Sequence, residues 1–149
     1  VQIWVDADAC PRAIKEVLVR AAQRRRVLTV FVANRDTRLP PDDCLRSVRV
    51  KQGFDVADRE IVDRISAGDL VVTADVPLAA DVVERGATAL NPRGTLYTED
   101  NVQELLAQRD LMDELRSLDM VRGGPPPFGA GEVRAFSNQL DRFLTRNGA

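Results

Sequence analysis

The chain contains no histidine. That removes imidazole acid–base chemistry, Ser–His–Asp and Cys–His catalysis, and His-ligated zinc. Its two cysteines, Cys10 and Cys44, form no CxxC pair and point to no disulfide framework, as expected of a reduced, cytoplasmic protein. The GxxxxGK[ST] and GxGxxG phosphate loops are absent. No apolar run approaches a membrane span and no basic–apolar–small leader pattern opens the sequence, so no membrane partner is expected. Large net charge is also missing. At −2, with a pI near 5.2, the molecule as a whole does not attract nucleic acid, and any such binding needs a local basic patch. Lysine is scarce (Lys15 and Lys51), so nearly all the positive charge is arginine.

What is present is an ordinary soluble composition, 44% hydrophobic and 30% charged over 149 residues, the size of one domain. "QIWV" reads as a first strand, and Pro11 suits the first turn of a helix bearing Ile14, Val17, Leu18, Ala21 and Ala22 at helical spacing. "LTVFVA" and "SVRVK" read as the second and third strands. Asp55 is placed to cap a helix carrying Ile61, Val62 and Ile65, and "DLVVTA" follows as a fourth strand. Asp75 and Pro77 open a helix with Leu78, Val82 and Val83 on one face and Gly86 as its stop. "ATAL" is the fifth strand, and Thr98 caps a long helix through Leu105, Leu106 and Leu115. "GGPPPFGAGE", residues 123–132, reads as a flexible loop before a final helix over 132–146 with Val133, Phe136, Leu140 and Phe143. The alternation predicts one α/β domain over 1–149, an open, mainly parallel five-stranded sheet with helices on both faces.

The chemistry gathers where the strands end. In "WVDADACP" an apolar segment runs into Asp6 and Asp8, and residues i and i+2 of an extended segment point the same way. Asp55 and Asp58 follow strand three and Asp75 leaves strand four, so all five acids lie on the rim where open α/β sheets bind ligands. Asp58 shares the core-facing stripe of Ile61, Val62 and Ile65, where an unpaired carboxylate is costly. Each acid also has a plain structural role open to it. Asp8, Asp55 and Asp75 suit helix N-caps, and Asp58 suits an ion pair with arginine. Together they are harder to dismiss, because two carboxylates about 4 Å apart repel by roughly 4 kcal/mol at an effective dielectric near 20. Such a group needs a proton, an arginine or a divalent cation. Oxygen-only donors favour Mg²⁺ or Mn²⁺ over zinc, and that chemistry needs no histidine. The expected metal ligands are therefore drawn from Asp6, Asp8, Asp55, Asp58 and Asp75.

"IWVDADACP", "FDVADREIV", "GDLVVTADVPLAA" and "ALNPRG", in that order, resemble the bacterial YaiI/YqxD family of uncharacterised proteins over essentially the whole chain. That family is regarded as similar to PIN-like domains, so the resemblance implies a parallel-sheet α/β sandwich and metal-dependent ribonuclease chemistry. It also implies catalytic roles for an Asp after strand one (Asp6), an acid in a middle helix (Asp58) and an Asp after strand four (Asp75). Many PIN domains carry a further Asp just beyond the last. Here Val76 and Pro77 stand there, Asp81 lies a turn and a half on, and Asp8 or Asp55 is left to supply the ligand.

Two other functions fit the residues. "DAD" after a strand also resembles the DxD of haloacid-dehalogenase-like phosphatases, with Asp6 as nucleophile, Asp8 as general acid and Thr73 in the hydroxyl role. The lysine that group requires would be Lys15 or Lys51, neither in the usual order. A catalytically inactive RNA- or protein-binding module would instead use Arg12, Arg35, Arg38 and Arg93, on or near the same rim, to grip phosphates bidentately. Arg12, Arg35 and Arg93 are the substrate-binding candidates of the nuclease reading as well, with RNA as the partner; Arg93 also reads as a plain surface-loop residue. Arg24, Arg25 and Arg26 end the first helix away from the rim and complement its dipole. Trp4 and Phe31 fall inside strands, so no stacking platform for bases is evident. Cys10 reads as a packing residue rather than a low-pKa thiol.

Overall fold

The computed structural model describes residues 1–53, 55–118 and 127–148. Its strands are β1 (Ile3–Asp6), β2 (Thr29–Ala33), β3 (Leu45–Arg49), β4 (Leu70–Val72), β5 (Thr88–Leu90) and β6 (Leu96–Tyr97). Its helices are α1 (Arg12–Arg25), α2 (Val56–Arg64), α3 (Val76–Glu84), α4 (Glu99–Ser117) and α5 (Ala130–Arg146). One six-stranded sheet runs in the order β3-β2-β1-β4-β5-β6. The five strands β1 to β5 are parallel, and β6 returns antiparallel to β5. The expected α/β class and parallel sheet are therefore present.

The expected count of five strands is corrected to six. β6 has two residues, too few to show alternation, and it forms because Asn91–Thr95 makes a tight turn in which the Asn91 N–H bonds to the Thr95 carbonyl. Gly94 closes that turn at φ +96°, with its α-carbon face against the backbone of Ala135 and Phe136 in α5. A side chain there would meet both a strained backbone and a packed helix. β3 also begins two residues earlier than "SVRVK". It is the edge strand, and its largely exposed Arg46 and Arg49 explain why its pattern is weak.

Alternation along the strands divides the core between two faces. Ile3, Val5, Phe31, Leu70, Val72 and Leu90 pack with Ile14 and Leu18 of α1 and Phe136, Leu140 and Leu144 of α5. On the other face Trp4, Val30, Val32, Val71 and Ala89 meet Ile61 of α2, Leu78 and Val82 of α3, and Val102 of α4. Each fully buried Leu, Ile or Phe contributes about 1.5–3 kcal/mol of transfer free energy, so these stripes fix which face each helix covers. Trp4 and Phe31 are core residues, as their positions in strands implied. Of the expected loop over 123–132, residues 123–126 lie outside the described residues, and α5 begins at Ala130.

Helix starts follow the sequence at α3 and α4 but not at α2. Thr98 caps α4, its hydroxyl accepting from the Asn101 N–H, and the Asp75 carboxylate caps α3 by accepting from the Leu78 N–H. Asp55 precedes α2 in the left-handed region at φ 62° and makes no side-chain cap bond. No helix among the described residues is long and apolar enough to cross a membrane.

Candidate functional site

The chain passes from β1 through α1 to β2 on one side, and later from β3 through α2 to β4 on the other side of β1. The strand order therefore reverses between β1 and β4, and the crevice beyond their carboxyl ends is where such sheets bind ligands. Asp6 is the last residue of β1, Thr73 directly follows β4, and Asp75 opens α3. Asp6 lies on the same side of its strand as Trp4, toward α2 and α3.

Thr73 ties the two aspartates together. Its buried hydroxyl donates to Asp6 Oδ2 at 3.0 Å and accepts the Asp75 N–H at 3.0 Å. Asp75 Oδ1 then accepts the Leu78 N–H at 3.0 Å. These bonds occupy one oxygen of each carboxylate. Asp6 is 8% exposed, and burial pushes its carboxyl above the usual range, with Asp75 and Asp8 adding repulsion against the lowering effect of Thr73. Asp58 enters from α2. Its carboxyl is pushed up to about 7, first by burial, then by the charges of Asp75, Asp6 and Asp55, and by a hydrogen bond to Asp75 that its protonated form makes. Among the described residues Asp58 forms no ion pair with an arginine, so the plain structural role open to it is not seen there.

The remaining acids take other places. The extended segment stops at Asp6, where a 3-10 turn over Ala7–Ala9 redirects the chain. Asp8 consequently does not project in parallel with Asp6; its Oδ2 accepts the Asn34 N–H at 2.9 Å, although it stays near enough to repel Asp6. It caps no helix, because α1 starts after Pro11 without a side-chain cap. Asp55 and Asp58 line a crevice of about 230 Å³ between α2 and α3, shared with Asp63 and Asp81. As placed, no group of three or more acidic or cysteine side chains among the described residues is arranged to hold a metal ion. The donor chemistry nonetheless suits a hard cation. Asp6, Asp58 and Asp75 are oxygen donors, and the charges of Asp75 and Asp6 help push the Asp58 carboxyl up.

Arg12 and Arg35 line a separate cleft beside Asp8, with the Arg12 side chain 94% exposed and paired to Glu16 at 3.7 Å. Arg93 is held by Glu132 at 3.4 Å and stacks over Phe128, tying the β5–β6 turn to α5. Arg24 and Arg25 reach Asp141 of α5, and Arg26 reaches Asp42. Burial pushes the Cys10 thiol up to about 12, so it packs as an apolar residue rather than reacting as a thiolate.

The family comparison agrees with the motif reading. The model of the family described as "Uncharacterized BCR, YaiI/YqxD family" matches residues 4–146. The chain belongs to the YaiI/YqxD family. A UPF0178 protein of Shewanella amazonensis is 57% identical over 97% of this chain and 97% of its own. One of Janthinobacterium sp. is 57% identical over 97% of this chain and 96% of its own. Another, of Maridesulfovibrio salexigens, is 56% identical over 98% and 97%. No solved structure matches this chain.

Two residues near the cluster escape the acid pattern. Thr73 has a sequence signal, since a hydroxyl two residues before a capping Asp can bond the backbone at that turn. Tyr97 has none. It is a lone aromatic in a two-residue strand, yet it is buried, accepts from Asn91 Nδ2 at 2.8 Å and has its phenol pKa pushed up by burial and, against the lowering effect of Asn91, by nearby Asp75. Thr73→Val should cost about 1–3 kcal/mol, because it strips a partner from a buried carboxylate and leaves the Asp75 N–H unbonded. Thr73→Ser should recover most of that loss in denaturant titrations. Equal stabilities for the Val and Ser variants would show that the hydroxyl does not join the two aspartates.

Proposed function

We propose that the protein is a PIN-like, divalent-metal-dependent ribonuclease, a phosphodiesterase taking Mg²⁺ or Mn²⁺ on Asp6, Asp58 and Asp75. The observation that carries this reading is the meeting of carboxylates from β1, α2 and the start of α3 at the crossover of the sheet, with one carboxyl pushed up to about 7. Acids after the first strand, in a middle helix and after the fourth strand are the order that the PIN-like resemblance asks for. When bound, the metal supplies a Lewis acid that lowers the pKa of a water and offsets charge at phosphorus. Asp6 and Asp75 are held in place by Thr73 and Leu78, so they meet an incoming cation with little loss of side-chain freedom. Asp58 is the adjustable member. With its carboxyl near neutrality, it would give up its proton beside a bound cation and is suited to accept one from water. Asp8 and Asp55, at the edges of the cluster, are the further candidate ligands.

The phosphatase reading has one favourable feature, the Thr73 hydroxyl on Asp6. Against it, Asp8 is bonded to the Asn34 N–H, Lys15 lines the cleft beside α1, and Lys51 lines a hollow with Asn34 and Arg49. The deciding assay incubates purified protein with single-stranded RNA in Mn²⁺, in Mg²⁺ and in EDTA. Cleavage in either metal that stops in EDTA is expected. RNA binding without cleavage in any metal would favour the inactive module. Inorganic phosphate released from small phosphomonoesters would favour the phosphatase.

A further inference from the structure

We infer that the cleft between α1 and the β2–β3 connection is a subsite for one nucleoside phosphate unit, binding it without metal. The cleft has a volume of about 560 Å³, within the range of small-ligand sites of roughly 300–1,000 Å³. It opens beside Asp8, two residues along the chain from Asp6, so it borders the aspartate cluster from the α1 side of the sheet.

Its charge runs against that of the protein. Arg12, Lys15, Arg20, Arg35 and Arg38 line it, opposed by Asp8, Glu16 and Asp36. Two of those three acids are already engaged, Asp8 by the Asn34 N–H and Glu16 by Arg12. Lys15, Arg20, Arg35 and Arg38 make no ion pair among the described residues. On a chain of net charge −2 this is a local cationic excess, suited to an anion with several acceptor oxygens. The cleft is not purely polar. Val19, Leu39 and Pro40 give it an apolar side, which a bare phosphate would not use and a sugar and base would.

The wall that carries Arg35 and Arg38 is built rather than loose. The connection from β2 to β3 is anchored at Asn34 by Asp8, at Thr37 by the Ser47 hydroxyl, and at Asp42 by Arg26 and the Cys44 N–H. Its arginines are therefore presented from a fixed backbone, which lowers the ordering cost of binding.

The nucleoside part of this assignment rests on the ribonuclease reading, and the anion-binding part rests on the cleft alone. A nucleoside phosphate could arrive as part of a single strand or as a free mononucleotide. The test titrates uridine 5′-monophosphate, a short oligouridine and inorganic phosphate into wild-type protein in EDTA. It repeats the titrations with Arg35→Glu/Arg38→Glu and with Arg134→Glu, an exposed change on α5. The loop pair should weaken nucleotide binding roughly tenfold or more and flatten its salt dependence, while Arg134→Glu changes little. Weakening for both ligands supports a subsite open to free nucleotides, and weakening for oligouridine alone supports one that takes a nucleotide only within a strand. Binding that the loop pair leaves unchanged, or inorganic phosphate binding as tightly as the nucleotide, overturns the inference. The two readings fail separately. RNA cleavage in Mn²⁺ with no nucleotide binding at the cleft removes the subsite alone, whereas nucleotide binding with no cleavage in any metal removes the ribonuclease.

Discussion

Asp6→Asn should lower metal-dependent RNA cleavage by about 10²–10³-fold, the scale of losing one preorganised electrostatic partner in a reacting site. The change is nearly isosteric, and the asparagine carbonyl still accepts from the Thr73 hydroxyl, so the buried bond at 3.0 Å is kept while the charge is lost. The fold should therefore survive, which a matching far-ultraviolet spectrum and thermal transition would verify. Binding of RNA should persist, since the basic residues lie in a separate cleft. The rate is to be measured with enzyme in excess over labelled RNA, at saturating Mn²⁺ and again at low Mn²⁺. A deficit that shrinks as Mn²⁺ rises would identify Asp6 as a ligand. A folded Asp6→Asn protein that cuts at the wild-type rate would end the proposal that Asp6 belongs to the reacting site.

The reach of the sequence is clear from particular residues. Short continuous apolar runs such as Ile3–Asp6 and Thr29–Ala33, and helical stripes such as Val133, Phe136, Leu140 and Phe143, carry their own geometry, so the layers and the parallel sheet follow from them. The rim position of Asp6, Asp58 and Asp75 follows in turn, because it depends only on which element each acid leaves or opens. Three features do not follow. β6 is too short to have a period, and its turn depends on Gly94 meeting α5, a contact between residues about 40 positions apart. The separation of Asp8 from Asp6 depends on a 3-10 turn whose three residues carry no strong propensity. The basic cleft gathers side chains from α1 and from an irregular connection, and no spacing rule joins those segments. Local periodicity encodes the scaffold, while the long-range meetings that finish the site appear only once it has folded.

Asp58→Asn should make the metal-free protein more stable at pH 8, and less responsive to Mn²⁺. In the unfolded chain Asp58 ionises near the ordinary value of 3.8, whereas in the folded protein its carboxyl is pushed up to about 7. Between those values the folded state holds a proton that the unfolded state has lost. Stability from this group therefore falls as pH rises from about 4 to 7, and the penalty is complete above 7. Because solvent screens a half-exposed carboxyl, the penalty is on the order of 1–2 kcal/mol. Asparagine never ionises, so the variant should gain about that much over wild type at pH 8 and almost nothing at pH 4. Mn²⁺ should stabilise wild type more than the variant, and with a different pH dependence. In wild type it competes with the Asp58 proton, so its stabilisation should grow between pH 5 and pH 8 and offset the penalty. In Asp58→Asn the growth should be largely lost, because one donor and one titration are gone. Thermal unfolding of both proteins in EDTA and in Mn²⁺, at pH 5 and pH 8, reads all of these differences. Equal Mn²⁺ shifts for the two proteins at pH 8 would remove Asp58 from the ligand set. A variant that is less stable than wild type in EDTA at pH 8 would show that relief of repulsion is the smaller effect and that the Asp58 carboxylate makes a contact asparagine does not replace.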